Sequence, residues 1–376
     1  MNARALEFLV PGDLQSATGG YVYDRTIAAG LRALGWRVGV HGLEGSFPHP
    51  NADALAHAAR VLADLPDETC VLVDGLALGA LPQELEAHAR RLPLVALIHM
   101  PLAFEFGIES TVAERLRRQE QRALQLVRHV IVTSRATERD LAAYGVDRSR
   151  LTVVEPGVWK AAITSGPGAA VHGCVIELLC VATVHEGKGH ELLIEALARL
   201  THLPWRLQCV GSLSRSPATV QRLAERVARF GLADRVALRG ELPHEALSEL
   251  YLAADLFVLP TLRESYCLAV AESIAHGLPV ISSRTGAIAE LVGAGAGLLI
   301  EPGDRDALHT ALERALTDGA LRTSMRTAAR EAGARLASWP QACERMARVL
   351  ERVCGQSACG TTGAHERAGA RERAAR

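Results

Sequence analysis

The chain has 376 residues, enough for two domains that each bury a core. A formal net charge of -1 at pH 7 and a pI near 6.9 leave no global field to attract nucleic acid, so that partner is excluded from the expectation. Hydrophobic residues make up 49% of the chain but fall in short runs, none approaching the roughly 18 to 20 apolar residues of a spanning helix, and residues 1–10 lack a basic leader or cleavage site; a cytoplasmic location is expected.

The first run, residues 6–10, predicts a strand that leads through Pro11-Gly12-Asp13 to Gly19-Gly20 and a helix over 21–34. Paired glycines before a helix let backbone come close to a ligand with helix amides aimed at it, although such a pair also serves as a plain tight turn. Strand and helix then alternate: a strand at 37–40, a helix over 51–65, a strand at 71–73 followed by Asp74-Gly75, a helix near 83–91 and a strand at 94–98. His99 follows that last strand directly, where an imidazole can donate or accept at neutral pH or serve as an ordinary loop residue. Residues 110–128 predict an amphipathic helix with Arg115, Arg117, Arg118, Arg122 and Arg128 against Glu114 and Glu120. It reads either as a solvated face or as a surface for an anionic acceptor or peripheral membrane contact. A strand at 130–134, a helix at 137–144 and a strand at 151–154 complete a first domain over residues 1–158.

Residues 159–173 are rich in Gly, Ala and Ser and predict a linker. A second domain over 174–337 opens with a buried strand at 175–182 and a loop carrying Lys188 between Gly187 and Gly189. Of 41 basic residues only Lys160 and Lys188 are lysines. A flexible ammonium at a strand's carboxyl end suits a diphosphate, against the alternative of an exposed surface lysine. Strands at 206–210, ending at Gly211, and at 236–238 follow, then a helix over 243–255. Helices are expected from 305 to about 317 and over 321–335. Ser338 caps another over 339–353, and residues 355–376 carry no apolar pattern and predict a disordered tail. The eight cysteines, Cys70, Cys174, Cys180, Cys209, Cys267, Cys343, Cys354 and Cys359, form no Cys-x-x-Cys pair and read as reduced core residues, neither zinc ligands nor a disulfide framework.

Residues 256–283 organise the rest. A buried strand ends at Pro260, a loop carries Arg263-Glu264-Ser265-Tyr266-Cys267, a helix starts near Cys267 and runs to His276, and Gly277-Leu278-Pro279 stops it before another strand. The helix start suits a phosphate, whereas Glu264 and Glu272 suit hydroxyls, since carboxylates accept strongly from sugar O–H groups. A ligand with both features is a nucleotide sugar.

The two acids eight residues apart, followed by Ala275-His276-Gly277-Leu278-Pro279-Val280, resemble the signature of the retaining glycosyltransferases of family four. Thr18-Gly19-Gly20-Tyr21-Val22-Tyr23-Asp24, Ile98-His99-Met100-Pro101-Leu102, Lys188-Gly189-His190 and Gly286-Ala287-Ile288-Ala289-Glu290 extend the resemblance to about residue 353. It implies an α/β protein of two facing Rossmann-like doubly wound domains (GT-B) with a cleft between them, the last helix crossing back to the first domain. The acceptor side would lie on the first domain and the nucleotide sugar on the second. Gly19 and Gly20 would face the donor phosphates and His99 the transferred sugar. Gly211 would flank the nucleobase, and Arg263, Tyr266, Cys267 and Leu268 would line the donor site. Lys188 would stabilise the leaving diphosphate, Glu264 would hold the sugar and Glu272 the ribose. The family retains configuration and uses no metal or bound cofactor, and no Asp-x-Asp or His/Asp cluster with metal-ligand spacing is read in a strand-end loop. The sequence departs from the family pattern in two places: Ser265-Tyr266-Cys267 replaces Gly-Phe-Gly, and Ala182 stands where an arginine is usual, for which Arg263 could compensate. Lipid, glycan and small-molecule acceptors stay open. A nucleotide-sugar epimerase or phosphorylase on the same body, and a non-catalytic sugar-nucleotide sensor, are the alternatives.

Overall fold

The structure, a computed structural model, describes residues 4–160 and 175–355. Most of the expected linker and the tail beyond Gly355 lie outside the described residues, as do Cys174 and Cys359. Twelve strands form two six-stranded sheets in which every pair described is parallel. In the first sheet β1 (Ala5–Pro11), β2 (Arg37–Leu43), β3 (Val71–Asp74), β4 (Leu94–Ile98), β5 (His129–Val132) and β6 (Leu151–Val153) lie in the order β2-β1-β3-β4-β5-β6. In the second, β7 (Ile176–Val181), β8 (Trp205–Val210), β9 (Val236–Leu238), β10 (Leu256–Leu259), β11 (Val280–Ser283) and β12 (Gly297–Ile300) lie in the order β12-β11-β10-β7-β8-β9.

The central strands are continuous apolar runs because helices cover both faces; Leu94–Ile98 and Leu256–Leu259 are buried along their whole length. Both sheets reverse direction at a switch point, between β1 and β3 in the first and between β7 and β10 in the second. Crossovers leave on opposite faces there, which opens a crevice at the carboxyl ends of the strands. That fixes where ligand-binding loops must be.

The Trp339–Cys354 helix leaves the second domain and packs on the first. Val158 N–H donates to Ala337 O at 2.9 Å, and Trp339, Met346 and Leu350 join the core beside Tyr23, Ile27 and Leu31. Burying each such large side chain is worth roughly 1.5–3 kcal/mol. Gly30 permits the contact: a Cβ there would stand 2.1 Å from Cys343 Sγ. The same return brings Cys354 to Cys70, and the two form a disulfide with Cα atoms 5.8 Å apart. This corrects the reading of all eight cysteines as reduced core residues. The partners are 284 residues apart in sequence, so only the returning helix reveals the pairing.

Other boundaries shift. The helix expected near 83–91 is confined to Pro82–Glu86, and turns carry the chain on to Pro93, whose ring disfavours helical backbone just before it. Several elements stand outside the sequence reading, among them a helix and a strand of the second domain. The Pro217–Arg229 helix buries Thr219, Leu223 and Val227 on one face, and β12 follows a glycine-rich turn that masks its short apolar run.

Candidate active site

Lys188 and Glu264 sit on the two loops that flank the switch point of the second sheet. The loop after β7 turns through Gly189 at φ 72°, where a Cβ would lie 2.1 Å from Pro260 O, so this loop rests directly on the end of β10. The closeness brings Lys188 Nζ to 2.6 Å from Glu264 Oε1, and Thr261 Oγ1 donates to the same oxygen at 3.1 Å. Burial alone would lower the Lys188 pKa, but the Glu264 carboxylate outweighs it and the net shift is upward. The ammonium therefore stays charged at neutral pH.

Immediately after this pair the chain makes the start of the Leu268–Ala275 helix. Cys267 precedes it with φ 73°, a left-handed conformation rare for a side-chain-bearing residue and one that ordinarily favours glycine. A Cβ on Gly19, the first residue of the Gly19–Ala33 helix in the first domain, would meet Leu268 Cβ at 3.8 Å. Two helix starts thus approach each other across the cleft, each with free N–H groups.

Glu272 lies one turn into the Leu268–Ala275 helix. Tyr251 donates its hydroxyl to Glu272 Oε2 at 3.3 Å and to Ala269 O at 3.2 Å. Burial lifts the Glu272 pKa to about 7, despite the tyrosine hydrogen bond that opposes the rise.

On the first domain His99 follows β4 and its Nε2 points away from the second domain's acids into a pair of carboxylates. Asp24 Oδ1 stands at 2.9 Å and Asp74 Oδ2 at 3.5 Å. Asp24 comes from the Gly19–Ala33 helix, and Asp74 ends β3 at the switch point of the first sheet. Both are buried, at 1% and 3% exposure. Burial and the Asp24 charge push Asp74 up to about 7, with His99 opposing. These three are the described residues whose donor atoms cluster tightly enough to consider an ion, all within 4.8 Å of one another. The hydrogen bond to Asp24 needs a hydrogen on Nε2, whereas an ion needs that nitrogen bare, so the arrangement suits a shared proton better.

The remaining candidates are placed differently. Arg263 turns toward the first domain, with its guanidinium 4.4 Å from the Phe104 ring centroid and 3.8 Å from Asp140 Oδ2. The expected compensation for Ala182 by Arg263 is therefore not seen: an acid and an aromatic face already hold that cation. Tyr266 is buried and donates to Pro156 O at 3.4 Å, tying the donor-side loop to the first domain. Gly211 packs against the end of β7, where a Cβ would lie 2.1 Å from Ala182 O. In the Ser110–Leu126 helix, Arg117 stacks on Tyr144, Arg122 pairs with Glu86 and Arg118 with Glu114, so much of its charge is balanced locally. Glu120 is fully buried, accepts from Leu102 N at 3.0 Å and is pushed up by burial to about 8.

Asp24, Asp74, Thr261 and Tyr251 join the candidate site by contact, and the sequence reading did not single them out. Asp74 carried a faint signal as the acid that ends an apolar run; Asp24, within a helix, carried none beyond its place in the glycine motif.

No described helix is long and apolar enough to cross a membrane. Residues 18–159 match the model of Glycosyltransferase Family 4, and residues 175–332 match that of Glycosyl transferases group 1. A mannosyltransferase of Mycolicibacterium hassiacum, described as MMP alpha-(1->4)-mannosyltransferase, is 30% identical over 285 residues, 72% of this chain and 67% of that protein. A D-inositol 3-phosphate glycosyltransferase of Acidothermus cellulolyticus is 34% identical over 207 residues, 50% of this chain and 46% of that protein. The chain thus spans about half to two thirds of the length of these relatives. Among solved structures, a sucrose-phosphate synthase from Thermosynechococcus elongatus superposes with a TM-score of 0.77 at 22% identity, covering 94% of this chain and 100% of that one. An Anabaena protein solved with UDP superposes with a TM-score of 0.71 at 18% identity, covering 93% and 100%.

Proposed function

The chain belongs to the group 1 glycosyltransferases of family four, enzymes of glycosyl transfer with the GT-B fold, and from that premise we propose that it moves a hexose-type sugar from a nucleoside diphosphate sugar to an acceptor hydroxyl, with retained configuration and without a metal ion. The carrying observation is the meeting of Lys188, Glu264 and the start of the Leu268–Ala275 helix at the switch point of the second sheet, with the Gly19–Ala33 helix start opposite. A cation and two sets of free amides make an anion site; two carboxylates beside it make a hydroxyl site. The Anabaena neighbour, solved with UDP-glucose, supports the same donor class.

In this reading the diphosphate enters between the helix starts and draws Lys188 away from Glu264. Lys188 then stabilises the charge that grows on the departing phosphate, and Glu264 is freed to accept from the sugar's hydroxyls. Glu272, in its ionised form, accepts from the ribose. Retention follows if the acceptor hydroxyl attacks from the face the phosphate leaves, with a phosphate oxygen taking its proton. His99 meets the reacting sugar from the first domain, and closure of the cleft excludes water. The positive charge comes from protein groups, which supports metal independence. The mannosyl and inositol-phosphate chemistry in the relatives' names bears on the acceptor only as a starting panel.

The test is donor turnover by the full chain in chelator-treated buffer, with UDP, GDP, ADP and dTDP sugars against hydroxyl acceptors that include phosphorylated inositols and mannosides, the product's anomeric proton coupling read by NMR. Transfer with the donor's configuration in excess chelator supports the proposal. Inversion, a requirement for divalent ions, or isomerised donor without acceptor would overturn it, the last in favour of an epimerase.

A further inference from the structure

His99 is held on every side but one. Its Nε2 faces Asp24 Oδ1 at 2.9 Å and Asp74 Oδ2 at 3.5 Å, and its carbonyl accepts from Thr137 Oγ1 at 3.0 Å and Thr133 Oγ1 at 3.4 Å. The ring edge meets the Tyr23 ring at 5.3 Å between centroids, and Tyr23 is itself anchored by its hydroxyl to Val154 O at 2.9 Å. The Gly19–Ala33 helix lies against the imidazole, and a Cβ on Gly20 would make ordinary contact with Cδ2 at 3.5 Å. Asp74 is doubly fixed. Its Oδ1 accepts from Leu76 N at 2.9 Å, which leaves Oδ2 for the histidine. Among the described residues Nδ1 has no hydrogen-bond partner, and the side chain keeps 22% of its exposure.

We infer that Asp24 and Asp74 are positioning residues which clamp Nε2–H of His99, so that the ring meets the cleft through Nδ1, which donates a hydrogen bond while the ring is protonated and accepts one when it is neutral. The Asp24 carboxylate at 2.9 Å favours a hydrogen on Nε2, because the other tautomer would set a lone pair against its oxygen, and Asp74 adds to this when it is ionised. With Nε2 occupied, the ring's acid–base change happens at Nδ1. Burial disfavours the imidazolium, but Asp24, by charge and hydrogen bond, and then Asp74 outweigh it and hold the His99 pKa above its ordinary value. The other groups facing this cluster are the Tyr21 hydroxyl, whose pKa is raised by burial and by Asp74 and Asp24, and Arg215 of the second domain, a cation sensed at Tyr21. Arg25, next in sequence to Asp24, turns away to Leu14 O and Ser16 O. A donor at Nδ1 suits an oxygen of the transferred sugar or one gaining negative charge, and this kinetic consequence rests on the proposed transfer reaction.

The ring itself can be read without substrate. The experiment is long-range 1H–15N NMR of the full chain labelled at histidine nitrogen, with the His99 signals identified by their loss in His99→Gln. In the wild type, His99 is expected to titrate above about 6.5, the ordinary histidine value, and to keep its hydrogen on Nε2 when neutral. Asp24→Asn is expected to lower that midpoint by about one unit or more, and Asp74→Asn by less, as loss of an adjacent charge requires. If transfer proceeds as proposed, the alkaline fall of kcat/KM moves to lower pH in Asp24→Asn by the same amount. A wild-type midpoint at or below the ordinary value, or a neutral tautomer with hydrogen on Nδ1, would overturn the inference even if neither variant folds. Because the NMR measurement needs no donor sugar, failure of the transfer reading would leave this test intact.

Discussion

Lys188 Nζ stands 2.6 Å from Glu264 Oε1, and the two residues come from loops 76 positions apart that meet only at the switch point of the second sheet. Each satisfies the other, and in the proposed reaction the donor diphosphate separates them. Lys188→Ala is therefore expected to do two things: lower kcat/KM by about 10²–10³-fold, the usual effect of removing one charge-stabilising donor, and destabilise the fold by roughly 1–2 kcal/mol, because Glu264 is left largely buried without its cation. Adding Glu264→Gln to Lys188→Ala should restore most of the stability and none of the activity. Chemical denaturation and steady-state kinetics on the two variants check this.

Glu272 carries a pKa near 7 because it is buried, so donor binding should depend on its ionisation. Ribose hydroxyls need a carboxylate to accept from, and affinity for the nucleotide sugar that binds should rise about three- to tenfold from pH 6 to pH 8. Tyr251→Phe removes the hydrogen bond that lowers this pKa and should move the rise to higher pH. Calorimetric titration across that range decides it; affinity that is flat with pH would count against Glu272 as the ribose acceptor.

Glu120 predicts a pH dependence of stability that is independent of catalysis. Its folded pKa of about 8 lies above the ordinary carboxyl value, so the native state holds the proton more tightly than the unfolded chain. Stability is then fully present below about pH 4.5 and is lost as pH rises toward 8. Glu120→Gln keeps an acceptor for Leu102 N–H without that loss. The variant should gain on the wild type by roughly 1–3 kcal/mol between pH 5 and pH 8, seen as a widening gap in thermal midpoints.

Cys267, at φ 73°, separates a conformational requirement from a chemical one. Cys267→Gly relieves about 1 kcal/mol of left-handed strain and gives up a small buried side chain, so its stability should fall within about 1 kcal/mol of the wild type. Cys267→Val, branched at Cβ, should cost more than roughly 2 kcal/mol. Urea midpoints of the two variants make the comparison.

Much of this was legible in the sequence because open parallel sheets announce themselves. Continuous apolar runs such as Leu94–Ile98 and Leu256–Leu259, each followed by a polar loop, give strand ends, and the strand ends give the sites of His99, Lys188 and Glu264. Contacts made by long-range return were not legible. The Cys70–Cys354 bond depends on where the last helix lands, and the engagement of Arg263 by Phe104 and Asp140 depends on how the two domains face each other. Asp24 lay hidden for a related reason: an acid within a helix reads as a solvated face until tertiary structure buries it beneath His99.

The central claim is that the cleft takes a nucleoside diphosphate sugar on Lys188 and Glu272. The most direct measurement is isothermal titration of the full chain with UDP-, GDP-, ADP- and dTDP-glucose, repeated on Lys188→Ala and Glu272→Ala. The account predicts that one base is preferred and that its sugar nucleotide loses at least about tenfold in affinity, near 1.4 kcal/mol, in each variant. Binding that neither substitution weakens, or no binding by any member of the series, would contradict it.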